Sequence, residues 1–244
     1  MTYCLALKLN EGLVFCSDSR TNAGADQVST YSKMHRWGID GERQFTMLSA
    51  GNLATTQSVL NRVQRDISER AEESLANMRY MSDAAGYVGH LNKAERERHV
   101  STDDVNAGFN PAATLILGGQ IRGEEPQLFM IYPEGNYISV SGITPFLQIG
   151  EKKYGKPILD RIVRADTDID SAVRCALFSM DSTMRSNATV GPPIELLVYK
   201  SDSLTEGCYH SFADNHPYLQ SLRKSWDEKV IQAFNEMPSL PLDC

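Results

Sequence analysis

Thr2 is the residue around which chemistry can be built. It follows Met1, and a second residue this small permits removal of the initiator methionine, which would leave Thr2 with a free α-amino group. Such a residue carries nucleophile and base together. An α-amine has a pKa of about 7.7 to 8.0, close enough to neutrality to take the proton of its own hydroxyl, directly or through a water. Three further groups would complete the device: a cation to favour the Oγ alkoxide, a carboxylate to hold that cation, and an unobstructed backbone N–H to receive an oxyanion. Lys33, Asp18 and Gly51 are residues of those types.

The elements that must position them are legible nearby. Thr2 to Leu9 and Leu13 to Cys16 are nearly continuous apolar segments around Asn10-Glu11-Gly12, which predicts a hairpin covered on both faces. Counting back from that turn, Thr2 faces the window from Asp18 to Thr21. A second hairpin is expected from Thr30 to Trp37 and Gln44 to Ala50, turning near Asp40 and Gly41. The same count pairs Lys33 with about Leu48 and brings it near Ser49-Ala50-Gly51, a turn running from strand into helix. Taken singly, Thr2 is a common second residue, Asp18 a turn former and Lys33 a solvated charge. Their joint spacing favours the functional reading.

Beyond Gly51, apolar residues at Leu53, Leu60, Val63, Ile67, Ala71 and Leu75 predict a helix. A more polar helix over Met78 to Arg98 precedes a loop over Ser101 to Asn110. Strands are expected at Ala113 to Leu117, Leu128 to Tyr132, Tyr137 to Val140 and Phe146 to Ile149, then helices at Lys153 to Val163 and Asp168 to Met184. A strand over Ile194 to Lys200 and a helix over Pro217 to Phe234 close the chain. Strand and helix groups in this order suggest a layered antiparallel sandwich, since regular βαβ alternation is absent. With no repeat and no linker, residues 1–244 read as one domain.

Composition narrows the function. The chain carries 24 basic and 31 acidic residues, a formal charge of −7, which argues against nucleic acid as a partner. The local excess of Lys152, Lys153, Lys156, Arg161 and Arg164 reads as a solvated helix face. No apolar run reaches the roughly 18 to 20 residues of a membrane helix, and no signal peptide is apparent, so a cytoplasmic location is expected. The five cysteines (Cys4, Cys16, Cys175, Cys208 and Cys244) are scattered and read as reduced thiols. No HExxH, GxSxG, GxGxxG or P-loop pattern is present, the histidines lack metal-ligand spacing, and no cofactor is expected. Ser221 to Lys224 matches SxxK without its companions and reads as one helix face.

Together, Thr2, Asp18-Ser-Arg, Lys33 and Ser49-Ala-Gly-Asn resemble the series of nucleophile, aspartate, lysine and oxyanion glycine in proteasome-type N-terminal-nucleophile hydrolases, which include proteasome β subunits and HslV. Asp181-Ser-Thr-Met-Arg-Ser-Asn187 is similar to the segment that lies behind the nucleophile in HslV, and residues 150–161, from Gly150 to Arg161, resemble the bacterial Anbu branch. The resemblance covers most of the chain. It implies an α+β fold, a four-layer αββα sandwich of two antiparallel sheets, and self-assembly as stacked rings or an open helical form. By position it makes Thr2 nucleophile and base, Asp18 and Lys33 its tuning pair, Gly51 the oxyanion donor and Asp181 the group that orients the amine. Two departures are expected: Glu151 standing in the place of a serine that offers its hydroxyl near the nucleophile, and activation by methionine removal alone, with no propeptide to cleave. The activity expected is cleavage of peptide or other amide bonds through an ester on Thr2. A narrow amidase and a non-catalytic scaffold are the alternatives, and no unfoldase partner is assumed.

Overall fold

Tyr3–Leu9 (β1) and Gly12–Asp18 (β2) form the expected hairpin, with Cys4 opposite Ser17 and Leu9 opposite Gly12. The structure is a computed structural model and describes residues 1–22, 28–99 and 110–240; most of the expected loop over Ser101 to Asn110, and Cys244, lie outside the described residues. Arg20–Asn22 (β3) pairs with Val28–Thr30 (β4), and Met34–Ile39 (β5) pairs with Arg43–Gly51 (β6). Leu53–Ser68 (α1) and Met81–His99 (α2) follow, then Ala113–Ile121 (β7), Gln127–Ile131 (β8), Tyr137–Ser139 (β9) and Phe146–Gly150 (β10). Lys156–Ile162 (α3), Ile169–Ser186 (α4), Ile194–Lys200 (β11), Cys208–Phe212 (β12) and Pro217–Asn235 (α5) complete the order.

Two five-stranded antiparallel sheets result, ordered β10-β1-β2-β11-β12 and β5-β6-β7-β8-β9. Three apolar layers hold them. Tyr3, Leu5, Leu7, Val14 and Cys16 face α3 and α4; Cys4, Ala6, Leu13 and Phe15 meet Leu48, Ile116 and Leu128 of the other sheet; Phe45, Met47 and Leu117 pack under α1 and α2. The continuous apolarity of the first strands is thereby explained, because alternate residues enter different cores. The architecture is the αββα sandwich of an α+β fold.

Local departures have local causes. The first helix stops at Ser68, short of Leu75, because Arg70 takes a left-handed backbone (φ 54) and Ala71 N–H caps the Asp66 carbonyl at 2.9 Å. Leu75 still reaches the core from the following turn. The strand expected from Thr30 to Trp37 is broken in two, β4 and β5, and residues 31–33 form the corner between them. β12, unforeseen in the sequence, is an edge strand with an exposed, polar run. The basic side chains from Lys152 to Arg164 are exposed, as a solvated face requires. No helix among the described residues is long and apolar enough to cross a membrane.

Phe15, fully buried between the sheets, makes a sensitive probe of this packing. Phe15→Ala is expected to cost about 3 to 5 kcal/mol, since the ring fills space that rigid strands cannot close over. Urea unfolding monitored by circular dichroism measures it.

Candidate active site

Thr2 enters the fold between two strands. Glu151 N–H donates to the Thr2 carbonyl at 2.7 Å, and Tyr3 N–H donates to Asp18 Oδ1 at 3.0 Å. Continuing the β1–β2 register puts Thr2 opposite Ser19, within the expected window. The close approach on the other side needs Gly150: its φ is +82, and a Cβ there would collide with the Thr2 carbonyl. Just past Thr2, the Tyr3 hydroxyl shares a 2.6 Å hydrogen bond with Ser179 Oγ of α4, which anchors the strand start.

Asp18 ends β2 in one sheet, and Lys33 precedes β5 in the other. The corner at residues 31–33 carries the chain from the two-stranded ribbon of β3 and β4 into the second sheet and aims Lys33 Nζ back at Asp18 Oδ1, 2.7 Å away. The same ammonium donates to the Arg20 carbonyl at 2.7 Å, and Gly191 N–H donates to Asp18 Oδ2 at 3.2 Å. Asp18 is 0% exposed. Burial raises its carboxyl above the ordinary aspartate value, while the Lys33 charge and the hydrogen bonds pull it back down. In the ladder, Met34 faces Leu48, so Lys33 stands at Ser49, whose N–H donates to the Lys33 carbonyl at 3.0 Å. The expected pairing with Leu48 is therefore displaced by one residue.

Thr2, Lys33, Ser49, Gly51 and Gly150 line one cleft of about 310 Å³, with Thr21 on its wall. Gly51 ends β6 at φ +114, where a Cβ would strike the Ala112 carbonyl; Asn52 then caps α1 by accepting from Thr55 N–H at 3.1 Å. The Met1 amino group lies in the field of this site. Burial, then the Lys33 charge, lower its pKa from the ordinary value, and Asp18 and Glu151 pull it up.

Asp181 is not brought to the cleft. α4 turns it toward α5, where its oxygens take Arg185 Nε at 3.1 Å and Arg223 Nε, and it lines a separate cavity with Leu177 and Leu219. The i, i+4 spacing to Arg185 and the docking of α5 account for that orientation. Next to Thr2 in the chain pairing is Glu151, whose N–H holds the Thr2 carbonyl and whose side chain has partners of its own. Glu151, 9% exposed, accepts from Lys153 N–H and from Asn187 Nδ2, both at 3.2 Å. A glutamate standing where a serine was expected was the signal for Glu151, and Asn187 lay at the end of the segment singled out around Asp181. Among the described residues, no group of three or more His, Cys, Asp or Glu side chains is arranged to hold a metal ion.

The proteasome subunit family model matches residues 2–199. This chain belongs to the proteasome subunit family. The family fold extends through the whole chain in solved structures. Anbu, the ancestral beta-subunit, from Yersinia bercovieri is 44% identical with a TM-score of 0.93, covering 100% of both chains. A helical assembly of the Anbu complex from Pseudomonas aeruginosa is 43% identical with a TM-score of 0.93 over 98% of each chain. Anbu from Hyphomicrobium sp. strain MC1 is 40% identical with a TM-score of 0.90, covering 99% of this chain and 100% of that one. No curated protein matches the chain. Within the proteasome family, then, the similarity to Anbu reaches past the family model to include α5.

Proposed function

We propose that this proteasome-family chain is an N-terminal threonine hydrolase of peptide or other amide bonds, acting once Met1 is removed. The observation that carries the reading is Lys33 Nζ, held at 2.7 Å from both Asp18 and the Arg20 carbonyl beside a cleft that Thr2 and Gly51 share. In that arrangement the Thr2 amine takes the hydroxyl proton and Oγ adds to the substrate carbonyl carbon. The Lys33 charge favours the alkoxide, and Gly51 N–H receives the oxyanion. Collapse breaks the C–N bond, the proton goes to the leaving amine, and water then cleaves the Thr2 ester to release the acid. Burial and then the Lys33 charge lower the pKa of the Met1 amine, the direction that an N-terminal amine serving as base calls for.

The test is the intact mass of purified protein before and after a peptide epoxyketone, whose ketone is attacked by Oγ and whose epoxide is opened by the amine. A mass short by one methionine plus one adduct supports the reading. Retained methionine with no adduct favours the scaffold alternative. Unfolded proteins set against small amides separate a peptidase from a narrow amidase.

Self-association belongs to the same proposal. A similar protein forms a helical assembly, and the distal half of α5 leaves Val230, Ile231 and Phe234 exposed, Phe234 by 70%. An apolar helix face of this kind marks a contact surface, and a second copy of the chain is its proposed occupant. Phe234→Asp is expected to shift the protein to smaller species in sedimentation velocity while circular dichroism is unchanged. An unaltered assembly would remove α5 from the contact.

A further inference from the structure

One buried carboxylate takes no part in the reaction above. Glu195 lies in β11, 5% exposed, on the face that its neighbour Leu197 turns toward the opposite sheet. An aliphatic side chain would suit that layer. Instead the carboxylate gathers donors from three directions. Oε2 accepts from Ser19 Oγ at 3.1 Å and more loosely from Ser17 Oγ at 3.5 Å, both at the end of β2. Ser32 Oγ lies 2.9 and 3.0 Å from its two oxygens, and Lys33 N–H points to Oε2 at 3.4 Å. Tyr209 of β12 donates its hydroxyl to Oε1 at 2.8 Å.

The donors at Ser32 and Lys33 matter most. These residues form the corner between β4 and β5, whose backbone is held at its ends by Tyr31 N–H on the Ser19 carbonyl and by Ser49 N–H on the Lys33 carbonyl, both at 3.0 Å, while Ser32 between them meets Glu195. A carboxylate is acceptor-only and takes several hydrogen bonds at once. It thus ties the corner, at its backbone and at Ser32, to the strand that ends in Asp18. Ser32 Oγ in turn accepts from Met34 N–H at 3.2 Å, so the tie continues into β5.

We propose that Glu195 is a positioning residue for Lys33: it holds the Ser32–Lys33 corner against the end of β2 and so sets Lys33 Nζ between Asp18 and the Arg20 carbonyl. Its effect on reaction rests on the hydrolase reading, whereas its effect on geometry does not. Tyr209 carries the tie outward, because the Arg36 guanidinium of β5 lies 4.4 Å over its ring and Arg36 also pairs with Glu206 at 2.8 Å. β5 of one sheet and β12 of the other are thereby joined.

Two measurements on Glu195→Gln decide it. In crystal structures of wild type and variant, the corner is expected to shift and the contact of Lys33 Nζ with Asp18 to lengthen; Lys33 left in place overturns the proposal. With the peptide epoxyketone, the maximal capture rate is expected to fall about tenfold or more while the half-saturating concentration stays within about twofold, the mark of misplaced catalytic groups rather than lost binding. A lower melting temperature with an unchanged capture rate would mean a merely structural role, and would overturn it too. Glu195→Asp is expected to recover part of the rate. If the glutamine variant does not fold, Ser32→Ala and Tyr209→Phe carry the same pair of measurements, with Ser32→Ala expected to give the larger effect. Should wild type take no adduct, the hydrolase reading fails and the crystal structures alone decide the role of Glu195.

Discussion

Thr2→Ala is expected to take no epoxyketone adduct and to lose about 10⁴-fold or more of any turnover, because removing a nucleophile leaves only binding and oxyanion contacts. Stability should stay within about 0.5 kcal/mol of the parent. The tie of Thr2 to the fold is its carbonyl, which accepts from Glu151 N–H at 2.7 Å, and alanine keeps that carbonyl. Lys33 and Asp18 remain paired, so assembly is expected to persist. Thr2→Ser restores a hydroxyl beside the amine and should restore capture. The intact masses of the three proteins, each treated in parallel, give the result; turnover surviving in Thr2→Ala would end the threonine mechanism.

Lys33→Ala should be damaging twice over. It strips the cation from the cleft, so the amine loses a charge that lowers its pKa and the alkoxide loses its support; capture at neutral pH is expected to fall about 100-fold or more. It also leaves Asp18, fully buried, without its ion-pair partner. Breaking a buried pair in this way costs about 3 to 5 kcal/mol. The sign with pH follows from the direction of the Asp18 shift. Its folded pKa is raised above the ordinary 3.8, so the native state binds the proton first and stability is gained as pH falls through the folded pKa. Loss of Lys33 raises that pKa further. The deficit of Lys33→Ala is therefore expected to be largest near neutrality and to shrink on acidification toward the ordinary value. Urea midpoints taken from pH 7 downward measure this, and a deficit independent of pH would mean that Asp18 is not the group responsible.

Much of this site could be read from spacing because it hangs on hairpins. A turn at Asn10 to Gly12 dictates what faces Thr2, and Ser19 follows within the expected window. The same reasoning erred by one residue at Lys33. It centred the turn between Asp40 and Gly41, whereas Ile39 faces Arg43 and the turn centres on Gly41. Asp181 went astray for another reason. Its place was carried over from similarity along a helix, and which way a helix face points depends on what docks against it; here α5 brings Arg223.

Residue order alone determined most of the strand and helix pattern and the buried double-faced hairpin, and it pointed to Thr2, Asp18, Lys33 and Gly51 as one set. Periodicity and turn chemistry act over a few residues and are written locally. Only the tertiary structure decided that Asn187 donates to Glu151, that Gly191 steadies Asp18, and that Glu195 reaches the Lys33 corner. Those contacts join residues from Asp18 to Glu195 across two sheets and a helix, and no local pattern encodes a hydrogen bond whose partners meet only when separate layers close on one another.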